Sequence, residues 1–189
     1  MYVAKDFSNL IGMPGFSETL LKNHFTLYQG YVANTNKTYD ILGALLKEGK
    51  TGTEFAEVSR RAGWEWNGMR LHELYFGNLG GDGAFPASGP LSDLVKKNFG
   101  DFETFQKVFL ATGAMRGIGW VIAYHEPATD GLLVTWVNEH DVGHLAGLKP
   151  ILIMDVFEHA FLTDYGLKRA DYLAAFWKNV DWKKVEARL

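Results

Sequence analysis

Ile151-Leu-Ile-Met-Asp155-Val-Phe-Glu-His159-Ala160 is the stretch that decides how this chain folds. Its first four residues are apolar and β-favouring, and they end on a carboxylate, Asp155. His159 follows four residues later. The end of a strand therefore presents two metal donors, one carboxylate and one imidazole, at a spacing that lets both point at one atom.

Two more β-rich runs lie upstream. Trp120–Tyr124 and Leu132–Val137 are separated by Pro127–Gly131, a turn-rich linker that reads as a hairpin. With Lys149–Asp155 as the third strand, a small antiparallel sheet is expected. Further upstream the period changes from two to that of a helix. Leu20, Leu21, His24, Leu27, Tyr28 and Tyr31 recur at helical spacing from Ser17 to about Lys50, with a kink expected near Gly30. Thr53 is expected to cap a second helix that breaks at Gly63, and a further helix is expected from Asn67 to Asn78. Short helices are expected over Leu91–Phe99 and Phe102–Ala114. The tail from about Phe157 reads as helical, most clearly over Asp171–Trp177. The fold class is α+β: an N-terminal long helical hairpin packed on a C-terminal three-stranded antiparallel sheet with helices. The expected division is residues 1–85 for the helical hairpin domain and 86–189 for the α+β domain.

Composition excludes several function classes. The 189 residues carry 19 Lys and Arg against 22 Asp and Glu, a net charge of −3, with no basic run, so neither nucleic acid nor an anionic membrane is an expected partner. The absence of cysteine removes disulfides, thiolate nucleophiles and iron–sulfur clusters. No apolar run reaches the roughly 20 residues needed to span a bilayer. The opening MYVAKDFSNLIGMPG lacks the charged and apolar regions of a secretion signal. A cytoplasmic protein is the expectation.

His24 and His72 each lie in an amphipathic helical pattern. A lone histidine there is more often a packed core residue than a ligand, and Asp155 alone could be a helix cap. Taken jointly, three imidazoles and one carboxylate suit a mid-row metal such as iron or manganese.

Over nearly its whole length the chain resembles the iron/manganese superoxide dismutases. The resemblance is carried by Gly117-Ile-Gly-Trp120, by Asp155-Val-Phe-Glu-His-Ala160, by Arg169-Ala-Asp-Tyr172 with Phe176-Trp177, and by His24 and His72. It implies one iron or manganese ion per subunit, held by His24, His72, Asp155 and His159, and superoxide as substrate. It implies a role for His140, which stands where the family places a glutamine or histidine that hydrogen-bonds metal-bound solvent. Family members lacking that residue supply a glutamine from the second long helix, where this chain has Gly68. Tyr31, seven residues after His24 and so on the same helix face, resembles the family's gateway tyrosine. Trp120 and Arg169 match residues around the site, Arg169 as a charge expected to attract the anionic substrate. Glu158 matches a glutamate that reaches across a two-fold axis to a partner's ligand histidine, which implies a homodimer. Its apolar neighbours lead us to expect it shielded from full exposure.

Several positions depart from the family pattern. The usual first helix reads His-x-x-x-His-His-x-x-Tyr-Val. Here it reads His24-Phe-Thr-Leu-Tyr28-Gln-Gly-Tyr31-Val32, one residue shorter, with Tyr28 in place of the second histidine. Leu162 stands where that histidine's usual tyrosine partner would be. Phe157 and Phe76 replace tryptophans, and Leu71 replaces an asparagine. His125 and His144 read as ordinary loop or solvated histidines. The alternative from another class is a non-catalytic structural or assembly module of the same fold. A carboxylate-bridged di-iron bundle needs Glu-x-x-His pairs, whereas His72-Glu73 and Glu158-His159 are adjacent.

Overall fold

The computed structural model describes residues 1–189. Helix α1 spans Glu18–Lys47 and starts where Ser17 accepts the Leu20 N–H at 3.0 Å, so a hydroxyl satisfies one of the orphan donors of the first turn. After a five-residue link α2 begins and runs over Thr53–Phe76. A link that short makes the two helices antiparallel neighbours. α1 continues through Gly30 as one α-helix, as expected, but α2 also passes through Gly63, where a break was expected. An exposed helical glycine costs about 1 kcal/mol relative to alanine, and packing along the rest of the hairpin outweighs it. Thr53 is the first helical residue, not the cap, which is Gly52.

Helices α3 (Pro90–Phe99) and α4 (Phe102–Gly113) lead into strands β1 (Trp120–Glu126), β2 (Gly131–Val137) and β3 (Lys149–Asp155). The sheet order is β2-β1-β3 and both pairings are antiparallel. β1 is therefore central and is buried along almost its whole length. The tail is not one helix. Glu158–Ala160 is a single 3-10 turn, followed by α5 (Leu162–Tyr165), α6 (Arg169–Lys178) and α7 (Trp182–Glu186). Gly166, with φ 52°, ends α5 and breaks the run.

Register sets up the site. Trp120 pairs with Val137 on one side and with Asp155 on the other. The start of β1, the exit of β2 and the exit of β3 thus share one end of the sheet. Helix α2 is tied to the same sheet by Asn78, just past its C-terminus, whose side chain accepts the Ile153 N–H at 2.9 Å. Arg188 joins the two as well, donating to Leu74 O and Ile151 O at 2.8 Å each. The buried apolar cluster is continuous from Leu20 and Met69 through Trp120 and Ile153 to Phe176. No helix is long and apolar enough to cross a membrane.

Candidate metal centre

Asp155 is the hub. Its backbone carbonyl accepts the Tyr172 hydroxyl at 2.5 Å, and Tyr172 is in turn hydrogen-bonded to Tyr75 at 3.2 Å. One carboxylate oxygen, Oδ1, accepts the Phe157 N–H at 2.8 Å. That bond leaves Oδ2 facing three imidazoles. The Nε2 atoms of His159, His24 and His72 lie 3.0, 3.2 and 3.6 Å from it. The four donor atoms all fall within 4.8 Å of one another. His24, His72 and Asp155 have side chains with no exposure, while the His159 side chain is 29% exposed.

The protonation of His72 follows from its neighbours. Its Nδ1 sits 2.6 Å from Gly68 O. A carbonyl only accepts, so Nδ1 carries the proton. Burial, reinforced by the charge on His24, holds the His72 pKa well below the usual histidine range, so the ring is neutral. Nε2 is then a bare lone pair, buried, without a hydrogen-bond partner, and aimed at a carboxylate. Burial also pushes Asp155 upward, but His159 and His24 outweigh it by charge and hydrogen bond and hold the carboxyl well below its usual range. A lone pair facing an anion at 3.6 Å in a dry site is repulsive unless a cation lies between them.

A second group lies against this one. His140 follows Glu139, whose φ of 54° is rare outside glycine. The Asn138–Val142 bridge closes the turn around it. His140 is fully buried. Trp120 donates its indole N–H to His140 Nδ1 at 3.0 Å, so the neutral ring carries its proton on Nε2, which donates to the Tyr31 hydroxyl at 2.8 Å. Burial pushes the His140 pKa down to about 4, with the Asp155 charge opposing it. Tyr31 stacks on His72 with ring centroids 5.1 Å apart. That approach requires Gly68, since a Cβ there would lie 2.5 Å from the Tyr31 ring.

The C-terminal part of the chain, residues 87–188, matches the family model described as iron/manganese superoxide dismutases, C-terminal domain. A protein of Sulfolobus acidocaldarius named superoxide dismutase [Fe] is 34% identical over 182 residues, covering 93% of this chain and 86% of its own. A Haloferax volcanii protein named superoxide dismutase [Mn] 2 is 33% identical, covering 93% of this chain and 87% of its own. A superoxide dismutase [Mn/Fe] of Aeropyrum pernix is 32% identical over 180 residues, covering 93% and 84%. The chain belongs to the iron/manganese superoxide dismutase family.

Other superoxide dismutase positions are arranged in their own way. Tyr28 is buried, donates to Glu73 at 3.1 Å and accepts the Lys5 N–H at 2.9 Å. It helps bind the N-terminal segment to the helical hairpin, together with the Lys5–Glu73 ion pair at 2.9 Å. Phe157 stacks on His159 at 5.3 Å, and Phe76 packs edge-on against His24 at 4.8 Å, so both keep the apolar wall. Glu158 is exposed on the single chain. Arg169 donates to Gly117 O at 2.8 Å, and two of its guanidinium nitrogens are buried without partners. It shares a hollow with Glu158, Leu162 and Leu167.

Some residues escaped the sequence reading. His125 is not solvated; it is buried and paired with Asp130 at 3.0 Å. Trp64 lies with its ring 4.4 Å from His140 and 5.5 Å from Tyr31, and Arg61 stacks over it at 3.8 Å. The available signal was helical spacing, since Trp64 precedes Gly68 by one turn.

Proposed function

We propose that the chain is a superoxide dismutase that holds one iron or manganese ion through His24, His72, Asp155 and His159. The observation that carries this is the bare, buried Nε2 of His72 facing the Asp155 carboxylate. Three neutral imidazoles and one carboxylate are a donor set for a mid-row metal. When bound, the metal supplies the one-electron couple by which two superoxide ions and two protons become dioxygen and hydrogen peroxide.

The rest of the work falls to the chain. Asp155 would neutralise part of the ion's charge through Oδ2, while the Phe157 N–H on Oδ1 fixes the carboxylate's orientation. Gly68 O fixes the tautomer of His72 and makes it a better donor. The wall of Phe76, Tyr75, Trp120 and Phe157 keeps the site dry. His140 and Tyr31 handle protons. Because His140 Nε2–H donates to the Tyr31 oxygen, the phenol proton is free to be given to the anion or to water beside it. Burial, with the Asp155 charge behind it, keeps that phenol protonated far above neutral pH.

We further propose a two-fold dimer in which the partner's Glu158 reaches His159. Glu158 is exposed next to that ligand, and Leu162 and Leu167 beside it are 47% and 96% exposed. An isologous contact would make the bond twice.

The direct test is metal quantification on protein from its own host, with dismutase activity after reconstitution with iron and with manganese. His159→Ala should lose stoichiometric metal and activity together. Full metal retention by single alanine variants at all four positions would sink the assignment.

A further inference from the structure

His140 is fastened at its side chain by Trp120 and Tyr31, but a ring stays in place only if its backbone does. That backbone belongs to the loop between β2 and β3, and Glu139 with its φ of 54° enters the turn in a strained, left-handed conformation. Such a conformation persists only where the surroundings fix it. One contact does so from outside the turn. His144 Nε2 lies 2.9 Å from His140 O, and His144 Nδ1 lies 2.7 Å from the Tyr124 hydroxyl.

The protons in this chain can be assigned. A carbonyl can only accept, so His144 Nε2 is the donor to His140 O. In the neutral ring Nδ1 is then an acceptor, and the Tyr124 hydroxyl donates to it. Tyr124 therefore selects the tautomer that His144 needs to hold the loop. Without that hydroxyl the ring could carry its proton on Nδ1 and turn a lone pair toward His140 O. Tyr124 is itself buried on β1, four residues from Trp120, and alternation places the two on one face of the strand.

We propose that His144, oriented by Tyr124, is a positioning residue for His140: one buried strand fixes His140 twice, through Trp120 at the imidazole and through Tyr124 and His144 at the carbonyl. Neither Tyr124 nor His144 touches the four candidate ligands. Their effect on turnover rests on the reading of this chain as a dismutase with His140 in proton delivery. Their effect on the place of His140 does not.

The test compares full-length His144→Phe, His144→Gln and Tyr124→Phe with the wild type, each loaded with metal. Glutamine can donate its amide N–H to His140 O and accept from Tyr124, so it reproduces both bonds. His144→Phe and Tyr124→Phe should keep their metal, lose about three- to tenfold in rate, less than the roughly 10–100-fold typical when a direct partner of a metal ligand is lost, and shift the pH profile. His144→Gln should restore the rate and the profile. Crystal structures should show the His140 contacts to Trp120 or Tyr31 stretched beyond about 3.2 Å in the two phenylalanine variants and kept in the glutamine variant. Wild-type rate, profile and distances in His144→Phe would overturn the proposal, as would a glutamine variant impaired like the phenylalanine one. If His144→Phe does not fold, Tyr124→Phe decides alone, and a wild-type profile there overturns it. A wild type that holds metal but lacks dismutase activity defeats the functional reading instead, and the two His140 distances still decide this one.

Discussion

The three candidate ligand histidines differ at the nitrogen that faces away from Asp155. His72 gives its Nδ1–H to Gly68 O. His24 leaves Nδ1 buried with no partner. His159, in a 3-10 turn with its side chain 29% exposed, makes only the Nε2 hydrogen bond through its ring nitrogens. A ligand imidazole ordinarily donates its far N–H to a carbonyl, carboxylate or water, which fixes the ring and raises its basicity. By that standard the α2 side of the centre is prepared in advance, the α1 side is prepared only by packing, and the third ligand is left for the proposed partner to complete. The buried helix position with a carbonyl behind it thus carries the fixed ligand, and the partly exposed turn carries the one open to a partner.

The hardest blow to this contrast is Gly68→Ala. The carbonyl that holds His72 remains, while the new Cβ would meet the Tyr31 ring at 2.5 Å. Tyr31 must move and its bond to His140 should break. Metal content should stay near stoichiometric while turnover falls about 10–100-fold. Loss of metal instead would mean that His72 is not held independently of Tyr31.

Glu158→Ala probes the third ligand. It should weaken the dimer about tenfold or more in Kd, near 1.4 kcal/mol per decade, and lower metal affinity with it. Analytical ultracentrifugation alongside metal titration measures both. A wild-type chain that is monomeric and fully active at micromolar concentration would remove the partner from the comparison.

A smaller effect is expected in acid. Burial pushes the His140 pKa down to about 4 from an ordinary 6.5, so the unfolded chain binds more protons than the folded one between those values. Stability of the metal-free protein should therefore fall as the pH drops through that window, and be unaffected by His140 above it. His140→Ala should flatten the slope by up to about 1.4 kcal/mol per pH unit, one proton's worth, in urea unfolding followed across pH. His24 is also lowered, by burial first, and His72 still further, so part of the slope should remain.

The finest distinction is between tautomers. Nitrogen-15 NMR of the metal-free protein should find His72 with its proton on Nδ1, as Gly68 dictates. His24 should carry its proton on Nε2, toward Asp155 Oδ2 at 3.2 Å. The two rings sharing one tautomer would erase the contrast between α1 and α2.

The sequence exposed those parts of the molecule whose signals are local. Period-two runs marked all three strands within a residue or two, and helical spacing marked both long helices. Gly63 misled because an exposed glycine weakens a helix by an amount that the hairpin's packing outweighs. The tail misled because Gly166 breaks a pattern that is apolar enough to continue. The four histidine and aspartate positions were readable from a resemblance and from donor chemistry. His144 was not, because its partners lie at Tyr124 and at the carbonyl of His140, and neither spacing has a periodic signal. Tyr28 was read only as the replacement of a family histidine, and its bonds to Glu73 and Lys5 had no signal in the sequence. Which way a buried tyrosine turns depends on partners far along the chain.

One consequence of the sheet register concerns time. Asp155 pairs with the first residue of the most deeply buried strand, and two of the three histidines are sealed by the helical hairpin. Central strands open only with the whole domain, whereas turns and edges open locally. An ion in this centre could leave through the His159 turn alone or wait for global unfolding. Since releasing one ligand still leaves three, exchange of the proposed ion should run at the pace of unfolding, and the choice between iron and manganese should then be fixed when the chain folds.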